Sequence, residues 1–177
     1  TRHKIVKVLS KEGYKWGDIS LSLYHRNNAV SEKVESFKAY TYNLVDGKVV
    51  RTKVTKRDFM EERVSNTQIK KKLALGNIKT GTVIEYRYTI KSRNMFNLRS
   101  WNCQEQIPIQ WSEYHTNIPG FFRYEILPSG YLPKLVINEK KYTHIDYDIT
   151  RHFWAVKDVP ALKLEKLTGN LYDYVPR

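Results

Sequence analysis

Apolar and polar residues alternate with a period of two along most of this chain, a pattern that fits pleated sheet and little else. Residues 4–9 read as a first strand, and 16–24 as a second with Ile19, Leu21 and Leu23 on one face and Asp18, Ser20 and Ser22 on the other. Asn27-Asn28 marks its end. Residues 37–56 read as a hairpin. Tyr40, Tyr42 and Leu44 alternate on the way in, Val50, Thr52 and Val54 on the way out, and Arg51 and Lys53 are assigned to the opposite face. Asp46-Gly47 between them suits the positive φ angles of a type I′ turn. Residues 57–66 form the one modest helix candidate early in the chain.

Further strands are expected at 69–75 and 82–91, with Gly81 in a positive-φ turn before the second. Residues 92–106 are irregular and polar. Strand character returns at 109–118 and 121–127, then Pro128-Ser129-Gly130 turns into a strand at 135–137. Asn138-Glu139-Lys140 reads as a tight turn into strands at 141–149 and 151–156. Many short strands with little helix predict an all-β fold, a β-sandwich-like antiparallel two-sheet domain. One domain is expected over 1–177, with 159–177 as a C-terminal extension towards a downstream domain.

Composition agrees with a packed domain. The chain has 177 residues, 41% hydrophobic and 28% charged, enough to bury a real core. Its 13 Tyr and 4 Trp favour sheet and also offer flat binding platforms. Thirty-one Lys and Arg against 18 Asp and Glu leave a charge of +13, which attracts anions at long range but does not specify a fold. The single cysteine, Cys103, excludes an internal disulfide framework and a cysteine-based metal site. No apolar run approaches the roughly 18 residues of a membrane-spanning helix. The chain opens on Thr1 rather than Met, as expected of a trimmed or processed chain, so the absence of a signal peptide here says nothing about the compartment.

Several segments together resemble a known family. They are Arg2-His3-Lys4; Lys38-Ala39-Tyr40-Thr41-Tyr42-Asn43-Leu44 with its Asp-Gly turn; and Gly81-Thr82-Val83-Ile84-Glu85-Tyr86-Arg87-Tyr88. Phe96-Asn97-Leu98-Arg99-Ser100-Trp101, Gln106-Ile107-Pro108, Ser112-Glu113-Tyr114 and the run from Trp154 to Ala161 follow in order. The chain resembles, over essentially its whole length, the domain of unknown function found ahead of transglutaminase-like domains in secreted Bacteroidota proteins. That resemblance implies a β-sandwich-like fold in an exported multidomain protein, periplasmic or in the cell envelope, with a papain-like or transglutaminase-like domain beyond Arg177. It carries over no catalytic residue.

The residues themselves offer few reactive constellations. Cys103, His144 and Asp158 occur in the order of a Cys-His-Asp triad, but Cys103 lies in a non-helical stretch beside Glu105, which disfavours a thiolate. His144, Asp146 and Asp148 alternate, so they are assigned to one strand face, with His152 nearby. Such a face binds a metal only if another strand contributes, and an exposed polar face is the expected reading. No P-loop, dinucleotide fingerprint or acid/base carboxylate pair is present, so no cofactor is expected.

Two ligand chemistries remain. Arg51, Lys53, Lys56, Arg57 and Lys70-Lys71-Lys72, interleaved with aromatics, match single-stranded nucleic-acid binding in kind but without a signature. A sugar needs an exposed aromatic ring beside planar hydrogen-bonding groups. Arg99, Trp101, Asn102 and Gln104, in the irregular stretch, are the candidate ligand site; Trp16 and Trp111 are assigned to the core. The expected function is a non-catalytic scaffold or interaction domain, docking a downstream domain or a protein partner. A carbohydrate- or envelope-binding module is the alternative, and nucleic-acid binding is the second.

Overall fold

The structure, a computed structural model, describes residues 1–26, 31–93, 98–125, 136–143 and 146–162, without the side chains of 136–139 and 142. Among the described residues ten strands make three antiparallel sheets, so the all-β expectation holds, with three sheets in place of two. The chain resolves into two compact units, Thr1–Leu98 and Arg99–Arg177.

The first unit carries two sheets. One has the order β1-β7-β3-β4, built from β1 (Arg2–Lys7), β3 (Lys33–Val45), β4 (Lys48–Thr55) and β7 (Val83–Lys91). The other, ordered β2-β6-β5, is built from β2 (Asp18–Tyr24), β5 (Met60–Ser65) and β6 (Gln68–Ala74). Each buries one face. Val6, Phe37, Ala39, Thr41, Asn43 and Ile84 are buried in the first sheet, and Ile19, Leu21, Leu23 and Leu73 in the second. Alternation therefore identified the buried side of β2 correctly.

The β3–β4 hairpin turns as expected: Asp46 and Gly47 take φ of 49° and 73°, a pair that Asp-Gly tolerates at little cost. Gly81, at φ 93°, likewise supplies the left-handed step before β7. A polar knot braces that turn. Asn43 donates to the carbonyl of Asn77 (2.9 Å) and accepts from the Thr82 hydroxyl, which in turn accepts from the Lys79 amide (2.9 Å).

Several local expectations are overturned. Residues 57–66 are not helical: after a short 3-10 turn at Lys56–Asp58 they form β5. The reason lies across the strand, where Glu61 stands opposite Lys71 and pairs with it at 2.8 Å, and Glu62 pairs with Lys72. The ladder with β6 supplies the backbone partners of the strand, and the cross-strand pairs of opposite charge add a little to it. Tyr40, Tyr42 and Leu44 do not oppose Arg51 and Lys53. Register places Tyr42 beside Arg51 and Tyr40 beside Lys53, so all five share the outer face, and the buried face of β3 is Phe37, Ala39, Thr41 and Asn43.

The second unit is a sheet ordered β8-β10-β9, with β8 (Ile109–Pro119), β9 (Val136–Thr143) and β10 (Asp148–Val159). Residues 121–125, expected in a strand, are not in one. Residues 138–140 do not turn but run within β9, paired with Phe153, His152 and Arg151 of β10. The connection falls between Thr143 and Asp148 instead. The turns expected at 27–28 and 128–130 lie outside the described residues, as does 163–177.

Trp101 and Ile109 pack against a small core of Cys103, Val156 and Val159. Three rings stand in series beside it: Trp101 stacks on Tyr114 (centroids 5.9 Å apart), and Tyr114 lies 5.7 Å from Trp154. Among the described residues no helix is long and apolar enough to cross a membrane.

Candidate functional site

The segment 99–104 is held by its own side chains. Trp101 donates from Nε1 to the Ser112 hydroxyl (2.9 Å) while its ring stacks on Tyr114, so the indole is half-buried structure. Gln104 donates to the carbonyl of Pro160 (3.0 Å), and the Leu162 amide donates to Glu105 (2.8 Å), tying the segment to the chain after β10. Arg99 lends its carbonyl to the Tyr114 hydroxyl (3.2 Å). Asn102 is exposed, as is the Arg99 side chain. Sequence proximity brought these four together; the structure packs Trp101 inward and ties Gln104 to the chain after β10.

Cys103 is buried at 3% exposure among Val156 and Val159, and burial pushes its thiol pKa above the ordinary value. A group so placed is a poor nucleophile. Asp158 sits on the surface near Lys157 (3.7 Å), and His144 lies outside the described residues. Of the alternating set expected with it, Asp146 and Asp148 do not share a strand face: Asp146 is in the bend before β10, and Asp148 begins that strand. Among the described residues no three His, Cys, Asp or Glu gather as metal ligands.

Two exposed sheet faces are organised more closely. On the outer face of the first unit's β1-β7-β3-β4 sheet, one carboxylate joins three strands. Glu85 of β7 accepts from Tyr42 of β3 (2.7 Å) and bonds His3 of β1 (2.9 Å). The Tyr42 bond, then that of His3, holds the Glu85 pKa below its usual range, while the same carboxylate raises that of Tyr42. Arg51 of β4 lies over the Tyr40 ring, 5.1 Å from its centroid. Register adds Lys7, Lys38, Lys53 and Arg87 to this face, so it is strongly basic.

A carboxylate with a depressed folded-state pKa stabilises above its unfolded value and loses that contribution as pH falls through the folded one. Urea midpoints measured from neutral pH to below about pH 4, near the unfolded glutamate value, should therefore fall less steeply for Glu85→Gln than for the wild type. Parallel slopes would remove Glu85 from the account.

The second face belongs to β8, β10 and β9. Trp111, Glu113, His115 and Asn117 occupy alternate positions of β8 and all are exposed, Trp111 at 53%. This corrects the assignment of Trp111 to the core. Trp111 donates from Nε1 to Glu113 (2.8 Å), whose other oxygen lies 3.3 Å from Nε2 of His115. The Trp111 bond, followed by that of His115, keeps Glu113 acidic. The His115 ring then packs on Phe153 (4.7 Å).

Beside this stripe is a shallow concavity of about 380 Å³, whose lining includes His115, Asn117, Lys140, Arg151 and Phe153. The signal for it was in the sequence. Within 111–118, Glu113, His115 and Asn117 fall in step with Trp111, whereas Tyr114 and Ile118 fall on the other side.

Comparison with known proteins places the chain. Residues 1–163 match the profile of DUF3857, described as a domain of unknown function with a solved structure. No curated protein sequence matches significantly. The fold is similar to a solved structure from Parabacteroides distasonis ATCC 8503 named "putative protease", with a TM-score of 0.70 at 16% identity. The similarity covers 98% of this chain and 34% of that one, so this chain spans about a third of that protein's length.

Proposed function

Because the chain belongs to the DUF3857 family, a family of solved architecture and unknown function, we propose that it is a non-catalytic interaction domain of a longer protein. One observation carries this reading: a similar fold occupies 34% of the longer Parabacteroides chain. The name protease describes that longer protein. Here the burial of Cys103 supports a structural thiol, and the two organised surfaces are open sheet faces suited to contact. Export, and a transglutaminase-like domain beyond Arg177, belong to the same proposal and rest on the sequence resemblance.

The test is direct. Purified chain incubated with fluorescent casein, and with a glutaminyl peptide plus an amine donor, should give background rates only. Iodoacetamide should label Cys103 slowly in buffer and quickly in urea. Turnover that disappears in Cys103→Ser would overturn the reading.

A further inference from the structure

We propose that the open face of the β8-β10-β9 sheet binds an acidic polysaccharide, with Trp111 as the ring platform and the concavity beside His115 holding a carboxylate or sulfate group. Directly opposed residues of an antiparallel ladder share a face. Register therefore sets Lys157 beside Trp111, Phe153 beside His115, Arg151 beside Asn117, and Lys140 beside Arg151. The result is a line running from an exposed indole to a cationic hollow.

The parts are pre-set for a ligand. Glu113 accepts from the indole with one oxygen and is itself held by His115 at the other, so Trp111 is oriented without being buried. A fixed aromatic loses little freedom when a sugar ring settles on it. Asn117 offers a planar amide that both donates and accepts, as adjacent hydroxyls require. Among the described residues the hollow has no carboxylate in its lining, but has Lys140 and Arg151. A neutral glycan has no use for those cations, whereas a uronate or sulfate ester does.

Size and layout separate this occupant from others. About 380 Å³ falls in the range of small-ligand sites and gives an acidic group a seat beside the indole. Single-stranded nucleic acid needs successive stacking platforms along a basic track. On this face the His115 ring is already engaged with Phe153, which leaves Trp111 as the projecting ring among the described residues of β8.

The proposal deepens the interaction-domain reading and depends on it. Affinity electrophoresis through gels containing polygalacturonate, alginate, dextran or single-stranded oligo-dT tests it. The first two should retard the chain; dextran should not, and oligo-dT should do so more weakly. Trp111→Ala and Lys140→Gln, both at exposed positions, should each weaken uronate binding about tenfold, or roughly 1.4 kcal/mol. Arg51→Gln combined with Lys53→Gln, on the other unit, should leave it unchanged.

Equal loss in that double variant would show attraction by overall charge and overturn the site. So would stronger retardation by oligo-dT, or no retardation by either uronate. These failures leave the interaction-domain reading standing, whereas Cys103-dependent turnover would remove the wider reading itself.

Discussion

Ile84→Ala should destabilise the first unit by about 2–5 kcal/mol, the range for removing a large aliphatic side chain from a filled core. Ile84 has no solvent exposure and sits between Val6 of β1 and Thr41 of β3 in register. β3 is held on its far side by β4, so the backbone there has little freedom to close the space. Ile84→Val, which removes one methyl group, should cost about 0.5–1.5 kcal/mol. Urea denaturation of the three proteins gives the comparison. A midpoint for Ile84→Ala within error of the wild type would mean the two sheets do not share a packed interior at that position.

Trp154→Ala should be as damaging in the second unit, about 3–5 kcal/mol. The side chain is 7% exposed, lies 5.7 Å from Tyr114 and stacks on His152 at 5.2 Å. Its removal takes away the ring on which Tyr114 rests, and Tyr114 in turn supports Trp101. Loss of ordered packing around Trp101 should appear in the near-ultraviolet circular dichroism along with the lowered midpoint. Trp154→Phe should restore most of both. A loss under about 1 kcal/mol, with the aromatic dichroism intact, would show that the ring series is decorative.

Local chemistry made part of this fold legible. Asp46-Gly47 and Gly81 occupy backbone conformations that few other residues accept, so their roles could be read without knowing any neighbour. The alternation in β2 and the strand at β7 were equally local. What failed depended on the partner strand rather than on the segment's own residues. Residues 57–66 became a strand through the ladder with β6, and 138–140 stayed extended because β10 continues to pair with them. Periodicity gave two faces for β3 but could not say which was buried. Tyr40 and Tyr42 look like core residues, yet the interior is lined by the smaller Ala39, Thr41 and Asn43.

The candidate site followed the same rule. Trp101 and Trp111 are ten residues apart and chemically alike. One found Ser112 and Tyr114 and turned inward, and the other was held outward by Glu113. Composition cannot tell two such tryptophans apart, whereas the polar residues two and four places along β8 could have done so. Arg99, Asn102 and Gln104 were grouped by adjacency in the chain, which an irregular segment does not convert into adjacency in space.

The pairing of β1 with β7 sets a condition on how this molecule comes into being. Arg2 lies opposite Tyr88, and β2, β3 and β6 are all made in the interval. During synthesis the first seven residues must wait, unpartnered, until the ribosome has released their mate. Closing so wide a loop is slow relative to forming the hairpin at Asp46-Gly47. β1 is thus a late arrival in its own sheet, and a nascent chain halted before residue 83 would lack the strand that separates β1 from β3.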